Sequence, residues 1–442
     1  SIVYLVGKTE YIVTETWEQK GTYRNGYVLN FVLGIRDSFV KKPEGYSADT
    51  IKMLEDKYGV TETGAAGKDS DEQAKVIITI MNESFADLGV IGDLQTNEAV
   101  TPFLDSLHAN VTRGYTLSSV FGAKTPNSEW EYLTGNTMAY LPSGSVAYQQ
   151  YVSDGAYSLV GTLKNQGYTC IAMHPYYSTG WSRNKIYPIL GFDETHFLED
   201  FNQNNIVREY VTDQELYDQI IAKYEQKQED EKLFVMGITM QNHGGYNDKY
   251  DNFTENIRMT NGYYPDVNQY LSLVNTSDAA LKNLIDYFSN VDEKVEIVFF
   301  GDHQPSLNNN FYANLNGCGL SGLTIDQLED LFTVPFFIWT NYETETKEDV
   351  HTSLNFLSTM VLEKAGLELP PYEKFLLDLQ QEVPAMNARA YYSAKDGCYK
   401  HYNEAEAEEA EMLNYYQILQ YNDMFDKRNR SDVFFAKQAS GE

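Results

Sequence analysis

The chain has 442 residues, of which 42% are apolar and 14% aromatic, so it is long enough to bury a large core. Its formal net charge is −31, and so acidic a surface argues against a nucleic-acid partner and against broad docking onto an anionic membrane. The three cysteines lie far apart and show neither zinc-finger spacing nor a disulfide framework. No run of 18 apolar residues and no signal peptide is found, so no transmembrane helix is predicted in this sequence.

Residues 1–74 are predicted to form a helical segment followed by a linker. Apolar residues between positions 27 and 47 follow helical spacing, which is broken at Pro43 and Gly45. Residues 47–59 have the pattern of a capped helix that stops at a glycine. Residues 61–73 are small and polar, which is typical of a flexible linker.

From residue 75 onward, apolar strands alternate with helices. The predicted strands are 76–81, 115–121, 168–174, 233–240, 295–300 and 334–340. Near-continuous apolar strands that alternate with helices indicate an α/β fold, with a mostly parallel sheet flanked by helices on both faces. In such sheets, ligands bind beyond the carboxyl ends of the strands.

Several of these strands end in side chains that can bind metals or transfer protons. They are Glu83, His174, His243, Asp302 and His303. Each has a structural explanation when taken alone; the Asp302–His303 pair, for example, is compatible with a simple Asx-turn. Together they predict a site at one edge of the sheet. Hard oxygen ligands with imidazole suit Mn²⁺ or Zn²⁺, and Mg²⁺ is also compatible.

Thr125 is the candidate nucleophile, because it follows a predicted strand and precedes a predicted helix that ends at Gly135. A helix N-terminus favours an anionic oxygen or a phosphate. The alternative is an ordinary threonine N-cap. Arg183 can bind two phosphate oxygens with its guanidinium fork, the alternative being a surface ion pair. Trp181 can cover an apolar or glycerol-like group, or simply pack in the core.

Residues 346–442 are predicted to form a helical and β-structured extension that packs on the core. It begins with an apolar helix at 354–366, continues through a tyrosine-rich region and closes with an acidic helix at 403–425. The Glu-Ala run of this last helix is predicted to be a solvated face with no chemistry.

Five short motifs in fixed order give the chain a family resemblance. They are NESF (82–85), KTPNSEWEYLTG (124–135), HPYYSTGWSRN (174–184), TMQNHGGY (239–246) and GDHQPSL (301–307). The chain resembles the lipoteichoic acid synthase and phosphoglycerol transferase family, sulfatase-like members of the alkaline phosphatase superfamily. Residues 42–47 and 416–426 are also similar to the streptococcal-type branch that transfers glycerol phosphate to cell-wall polysaccharide.

The resemblance implies a sulfatase-like catalytic domain at 75–345 and a role for each site residue. One Mn²⁺ ion is expected on Glu83, Thr125, Asp302 and His303. The substrate pocket is expected to contain His174, Trp181, Arg183 and His243. Thr125 would be the nucleophile, and His243 would donate a proton to the leaving oxygen or bind a phosphate oxygen instead.

The resemblance also implies a donor, an acceptor and a location. The donor would be phosphatidylglycerol, and the acceptor a cell-surface polysaccharide or teichoic acid. The domain would lie outside the cell of a Gram-positive bacterium, held to the membrane by transmembrane helices that are not in this sequence, with residues 1–74 as the juxtamembrane segment. The stretch Gln304–Leu307 differs from that of the lipoteichoic acid polymerases, which favours a single-transfer enzyme.

Three other functions compete with this one. A sulfatase or phosphodiesterase hydrolase shares the fold, but sulfatases need a Cys or Ser in a C/S-x-P-x-R stretch, which residues 124–128 lack. Phosphoethanolamine transferases also use threonine but are richer in cysteine. An inactive binding module for anionic wall polymers is disfavoured by the full set of ligands and by the negative charge.

Overall fold

The computed structural model describes residues 40–60 and 67–436. The predicted N-terminal helical stretch falls mostly on residues 1–39, which lie outside the described residues. The same holds for 61–66 of the predicted linker, whereas 67–73 are described and contain a short 3-10 helix at Ser70–Glu72. The predicted capped helix is present as α1 (Ala48–Tyr58), and the Ser47 hydroxyl accepts a hydrogen bond from the Thr50 N–H as its N-cap. Within the described ranges, no helix combines the length and apolar character required to cross a bilayer.

The remaining helices are α2 (Pro102–Ser106), α3 (Thr125–Thr134), α4 (Ala147–Gln150), α5 (Leu159–Asn165), α6 (Arg183–Leu190), α7 (Asp213–Gln226), α8 (Pro265–Phe288), α9 (Asn309–Asn316), α10 (Ile325–Asp330), α11 (Leu354–Lys364), α12 (Pro371–Glu382) and α13 (Ala407–Phe425). The strands of the main sheet are β1 (Val76–Asn82), β2 (Val111–Leu117), β3 (Tyr168–Met173), β4 (Glu194–His196), β7 (Lys232–Ile238), β8 (Val295–Gly301), β9 (Thr333–Thr340) and β10 (Lys347–Ser353). The short strands are β5 (Ile206–Val207), β6 (Tyr210–Val211), β11 (Ala385–Met386), β12 (Tyr391–Ser393) and β13 (Cys398–Lys400).

The main sheet has the strand order β10-β2-β9-β8-β1-β7-β3-β4. Every neighbouring pair is parallel except the two pairs that include β9. Seven strands therefore run in one direction and β9 runs against them, which confirms the predicted mostly parallel sheet. The carboxyl ends of β8, β1, β7 and β3 meet side by side at one edge.

Side chains of β1 alternate between two separate hydrophobic cores. Val76, Ile78 and Ile80 pack with α7 and α8 on one face, whereas Ile77 and Met81 pack with α3, α5 and α11 on the other. All seven residues of β1 are buried, as expected for a strand covered on both faces. Helix cover on both sides leaves the strand ends as the accessible part of the sheet.

The second strand lies four residues earlier than predicted, at Val111–Leu117 instead of 115–121. The partner strand β9 begins at Thr333, which pairs with Leu117, so the ladder has no partner beyond this point. The Ser118 N–H still bonds to the Phe332 carbonyl, and the chain then turns toward α3. The apolar run was misleading because Val120 is buried although it lies beyond the end of the strand.

The chain after residue 345 first completes the sheet and then builds a third core. Strand β10 extends the sheet beside β2, and α11 packs against α3. Helices α12 and α13 then join α1 in a tyrosine-rich cluster around Phe375 and Tyr416. In α13, Glu408 and Glu411 are exposed as predicted, but Glu409 is buried and accepts hydrogen bonds from Tyr391 and Ser393. The three-part division at residues 74 and 345 stays a prediction.

Candidate active site

An open pocket of about 180 Å³ lies at the carboxyl edge of the sheet. Its walls include seven of the eight predicted site residues: Glu83, Thr125, His174, Trp181, Arg183, His243 and His303. The eighth, Asp302, is fully buried directly behind His303. The topology explains this convergence, because the segments that carry the residues follow neighbouring strands that end at the same edge.

Three of these residues form the group that fits a metal ion. Glu83, Asp302 and His303 each offer one ligand atom, and these atoms lie within 4.8 Å of one another. The turn after β1 holds them together: the Ser84 N–H donates to Asp302 Oδ1 at 2.7 Å, and the Ser84 hydroxyl donates to Glu83 Oε1 at 2.9 Å. Ser84 adopts a positive φ of 52°, a conformation that costs free energy and marks a constrained site.

Hydrogen bonding around His303 shows why a cation fits this group. His303 Nδ1 lies 2.9 Å from the Gln304 carbonyl, which can only accept, so Nδ1 carries a proton, and Nε2 is the ring nitrogen that faces Asp302 Oδ2, 3.2 Å away. Among the described residues, no donor bonds that buried oxygen with normal geometry. Burial and the nearby Glu83 charge raise the pKa of Asp302 to about 7. A divalent cation bound there would displace any proton from Nε2 and be held by both Nε2 and Oδ2.

The donor set of two carboxylates and an imidazole fits Mn²⁺, Zn²⁺ or Mg²⁺ and does not distinguish among them. Because the ion would sit between buried acidic side chains, its charge would offset their mutual repulsion. Burial alone would lower the pKa of His303, but the charges of Asp302 and Glu83 raise it overall. The negative charges of Glu83 and Asp302 therefore favour binding of a cation at this site.

Thr125 lies beside this group as the first residue of α3. Its hydroxyl donates to Glu83 Oε2 at 3.3 Å. The N-cap position is occupied by Lys124, whose φ is +69°, so the alternative of an ordinary threonine N-cap is wrong. The hydroxyl therefore faces the carboxylates and not the backbone of its own helix.

Close packing beneath the ligands fixes the position of Asp302. The Asp302 carbonyl accepts hydrogen bonds from Ser128 at 2.6 Å and from Ser118 at 2.8 Å, which ties the end of β8 to α3. Gly301 has no room for a side chain, since a Cβ there would lie 1.9 Å from the Phe85 carbonyl oxygen. Glycine is needed here for a close approach of two backbones.

Arg183 and His174 line the same pocket as Glu83 and His303. Arg183 is buried and makes an ion pair with Glu129 of α3, so the alternative of a surface ion pair is wrong. Its Nη1 lies 3.2 Å from His174 Nε2. Trp181 lines the rim with a positive φ of 52° and is only partly buried, so it is not a core residue.

His243 lies on the loop after β7, which a short hairpin holds in place. Tyr210 of β6 has its hydroxyl 3.0 Å from His243 Nδ1. Arg208, buried and at a φ of +55°, donates to the carbonyls of Gln241, His243 and Gly245. Glu129, Arg208 and Tyr210 are not among the residues predicted from the sequence. Arg208 lies over three tyrosine rings, but two of them, Tyr246 and Tyr250, are distant in sequence, so no local pattern marks it.

Residues 75–367 match the family model described as Sulfatase. The chain belongs to the sulfatase family. The predicted resemblance and the predicted fold are thereby confirmed, and solved structures agree with them. The phosphoglycerol transferase GacH of Streptococcus pyogenes, in complex with sn-glycerol-1-phosphate, superposes with a TM-score of 0.72 at 21% identity, covering 90% of this chain and 99% of that one.

Two curated relatives of this sulfatase-family chain are similar in sequence. A Rhizobium meliloti (strain 1021) protein provisionally described as a cyclic beta-1,2-glucan modification protein is 29% identical over 441 residues, covering 97% of this chain and 66% of its own length. The lipoteichoic acid synthase of Staphylococcus saprophyticus is 29% identical over 240 residues, covering 52% of this chain and 36% of its own length. The chain thus spans about two thirds of the first relative and about a third of the second.

Proposed function

We propose that this chain is the catalytic part of a metal-dependent phosphoglycerol transferase, which moves sn-glycerol phosphate from phosphatidylglycerol to a cell-surface glycopolymer through a covalent intermediate on Thr125. One observation carries the proposal: the Thr125 hydroxyl, at the N-terminus of a helix, lies 3.3 Å from Glu83 within a buried Glu83–Asp302–His303 group. Similarity to a phosphoglycerol transferase and to a lipoteichoic acid synthase supports the substrate class.

The metal is assigned to Glu83, Asp302, His303 and the hydroxyl of Thr125, with Mn²⁺ as the first candidate and Mg²⁺ or Zn²⁺ as alternatives. A divalent ion held there would supply positive charge that lowers the pKa of the threonine hydroxyl and screens the phosphoryl group. Its binding also accounts for two acidic side chains buried within reach of each other.

In the first half-reaction, Thr125 Oγ1 attacks the phosphorus and forms an Oγ–P bond while the P–O bond to diacylglycerol breaks. The threonine proton passes to Glu83, which already accepts its hydrogen bond. His243 donates a proton to the departing diacylglycerol oxygen. In the second half-reaction, an acceptor hydroxyl gives its proton to His243 and attacks the phosphorus, the Oγ–P bond breaks and Thr125 regains its proton from Glu83.

The remaining pocket residues bind the donor. Arg183 would hold a phosphoryl oxygen through Nη1, and Trp181 at the rim would cover the glycerol carbons. The helix N-terminus at Thr125 adds backbone N–H groups that favour the anion. These contacts position the phosphorus in front of the nucleophile.

The acceptor is assigned to the class of glycans. The Rhizobium relative, which aligns with 97% of this chain, is described as acting on a cyclic glucan, and this supports a polysaccharide acceptor over a free small molecule. Because phosphatidylglycerol is a membrane lipid, the proposal places the pocket at the outer surface of the cell membrane. The membrane anchor, the bacterial group and the choice between single transfer and polymerisation stay predictions.

A sulfate-ester hydrolase is the second candidate, and the family match favours it. Thr125 followed by Pro126 and Asn127 stands where sulfatases are expected to have a Cys or Ser with a downstream arginine, which disfavours this candidate. Hydrolysis of an aryl sulfate at a rate comparable with phosphatidylglycerol turnover would support the hydrolase.

The deciding experiment is mass spectrometry of Mn²⁺-loaded protein after incubation with a short-chain phosphatidylglycerol. We expect one glycerophosphoryl group on the peptide that contains Thr125, together with release of diacylglycerol. Thr125→Ala should abolish both, because the nucleophile is lost while the pocket remains. Thr134→Ala is the matched control, since Thr134 is buried in the same helix and its hydroxyl donates to the Trp130 carbonyl and accepts from the Asn136 N–H. Turnover by the Thr125→Ala protein would refute the covalent mechanism.

A further inference from the structure

A buried carboxylate on the helix of Thr125 has no place in the chemistry described above. Glu129 is fully buried, does not line the pocket and is surrounded by polar partners. It lies one helical turn after Thr125 on α3, so the two side chains share one face of a single rigid element. Helix α3 therefore connects Thr125 rigidly to the side chains that bind Glu129.

Glu129 holds Arg183 with both oxygens satisfied. Arg183 Nε donates to Oε2 at 3.0 Å and Nη2 donates to the same oxygen, while Oε1 accepts hydrogen bonds from the hydroxyls of Tyr187 at 2.7 Å and Tyr148 at 3.3 Å. An arginine buried to 2% exposure requires such a partner, because an unpaired guanidinium is costly to desolvate. The two tyrosines in turn keep the carboxylate from rotating.

His174 fixes the remaining end of the guanidinium. Its Nδ1 lies 2.9 Å from the Ile238 carbonyl and must donate to it, so the neutral ring leaves an Nε2 lone pair that accepts from Arg183 Nη1 at 3.2 Å. Burial and the Arg183 charge lower the pKa of His174, which supports the neutral ring. The Arg183 fork is thus held at Nε, Nη2 and Nη1, and one Nη1 hydrogen remains for a ligand in the pocket.

We infer that Glu129 is a positioning residue for oxyanion binding: it orients Arg183 so that one Nη1–H faces the group transferred by Thr125. The inference rests on the proposed function, because Arg183 is assigned there to a phosphoryl oxygen. Since Glu129 and Thr125 share α3, any shift of the helix moves the nucleophile and the arginine anchor together. The spacing between attacking oxygen and anion-binding group is thereby kept constant.

The test uses Glu129→Gln and measures the affinity for sn-glycerol phosphate and for inorganic phosphate by calorimetry on Mn²⁺-loaded protein. Glutamine keeps the shape but loses the charge that orients the guanidinium, so we expect affinity for both ligands to fall about tenfold or more. Glu131→Gln is the matched control: Glu131 is buried two residues along the same helix and is bonded to Ser119, Thr137 and the Met138 N–H, outside the pocket. It should leave both affinities within about twofold.

A double-mutant cycle separates positioning from a general structural effect. If Glu129 acts through Arg183, Glu129→Gln should cause no further loss of affinity in an Arg183→Ala background. Equal losses in both backgrounds would overturn the inference, and so would an unchanged or higher phosphate affinity in the Glu129→Gln protein. Tyr187→Phe, which removes one donor to Glu129 and leaves the ion pair, is the second variant if Glu129→Gln does not fold. It should weaken binding about threefold, and an unchanged affinity would overturn the inference.

The outcomes for the two proposals are distinct. If phosphate affinity depends on Glu129 but no adduct forms on Thr125, the positioning role stands and the transferase mechanism fails. If the adduct forms and the phosphate affinity is unchanged in Glu129→Gln, the transferase mechanism stands and the positioning role is wrong.

Discussion

Replacing Gly301 with alanine is expected to disable the candidate metal site while leaving the sheet assembled. The added Cβ would lie 1.9 Å from the Phe85 carbonyl oxygen and 3.2 Å from Val334 Cβ. The 1.9 Å contact is the severe one, and it involves backbone on both sides, so no side-chain rotation relieves it. The turn that follows β1 and the end of β8 must move apart.

The size of the effect follows from that overlap. Cβ atoms in proteins essentially never approach a heavy atom closer than 3.0 Å, so the two backbones must separate by about 1 Å. The displaced turn carries Glu83 and Ser84, and the Ser84 N–H bonds to Asp302 at 2.7 Å. Overpacking of this kind costs about 1–3 kcal/mol of stability. Misplacement of reacting groups by about 1 Å lowers kcat/KM about 100-fold.

Metal content, kcat/KM and Tm measured on the same preparation test this reasoning. We expect Gly301→Ala to lose most of its bound metal and about 99% of its activity, with a Tm only a few degrees below wild type. Gly319→Ala is the matched control, because a Cβ at Gly319 meets no atom within 4 Å and its φ of −65° suits alanine. A Gly301→Ala protein with full metal occupancy and activity within about twofold of wild type would refute the close-approach argument.

Two further predictions concern buried carboxylates. Asp302→Ala should abolish metal binding and the rise in Tm that Mn²⁺ gives the wild type. At 1,000 times Kd the bound ion adds about 4 kcal/mol to the free energy of unfolding; unchanged metal content in the variant would contradict the assignment. Glu296 of β8 is buried with no hydrogen-bond partner among the described residues, and burial raises its pKa well above the usual range. The neutral carboxyl therefore contributes its full stability below the unfolded-state pKa, and that stability is lost as pH rises. The Tm of Glu296→Gln should accordingly rise relative to the Tm of the wild type from pH 5 to pH 8. A Tm difference that does not change with pH would exclude ionisation of Glu296 as the cause.

Strand positions and the residues that follow them could be predicted because they depend on local patterns. Four of the six predicted strands match the observed bounds within one residue, and the other two fall on β7 and β2. In β7 the prediction ran two residues too far, because Thr239 and Met240 stay buried after the strand ends and the Thr239 N–H still bonds to the Met81 carbonyl of β1. Side chains at the ends of adjacent parallel strands had to converge once the sheet was parallel. Thr125 and the end of its helix at Gly135 were equally clear from the Thr-Pro pair and the glycine.

The residues that support the site could not be predicted, because their roles depend on long-range contacts. Glu129 has no feature in the sequence that separates it from Glu131. Nevertheless, Glu129 pairs with Arg183, 54 residues away, whereas Glu131 accepts a hydrogen bond from the nearby Met138 N–H. Arg208 and Tyr210 lie in a hairpin of two-residue strands, too short for a periodic pattern. Glu409 was assigned to a solvated face because its burial depends on Tyr391 and Ser393 of a separate strand.

The position of β1 between β7 and β8 has a consequence for biosynthesis. Its two partners end 156 and 219 residues after it, so a ribosome working at about 5–20 residues per second needs roughly 10–30 s to supply the first of them. During that interval the nascent chain displays a largely apolar segment, rich in β-branched residues, with both edges open, which is a template for aggregation. Folding of this domain is therefore expected to depend on keeping the VIITIM segment shielded until residue 238 emerges, and the residues of the candidate site come together only after residue 303 has been made.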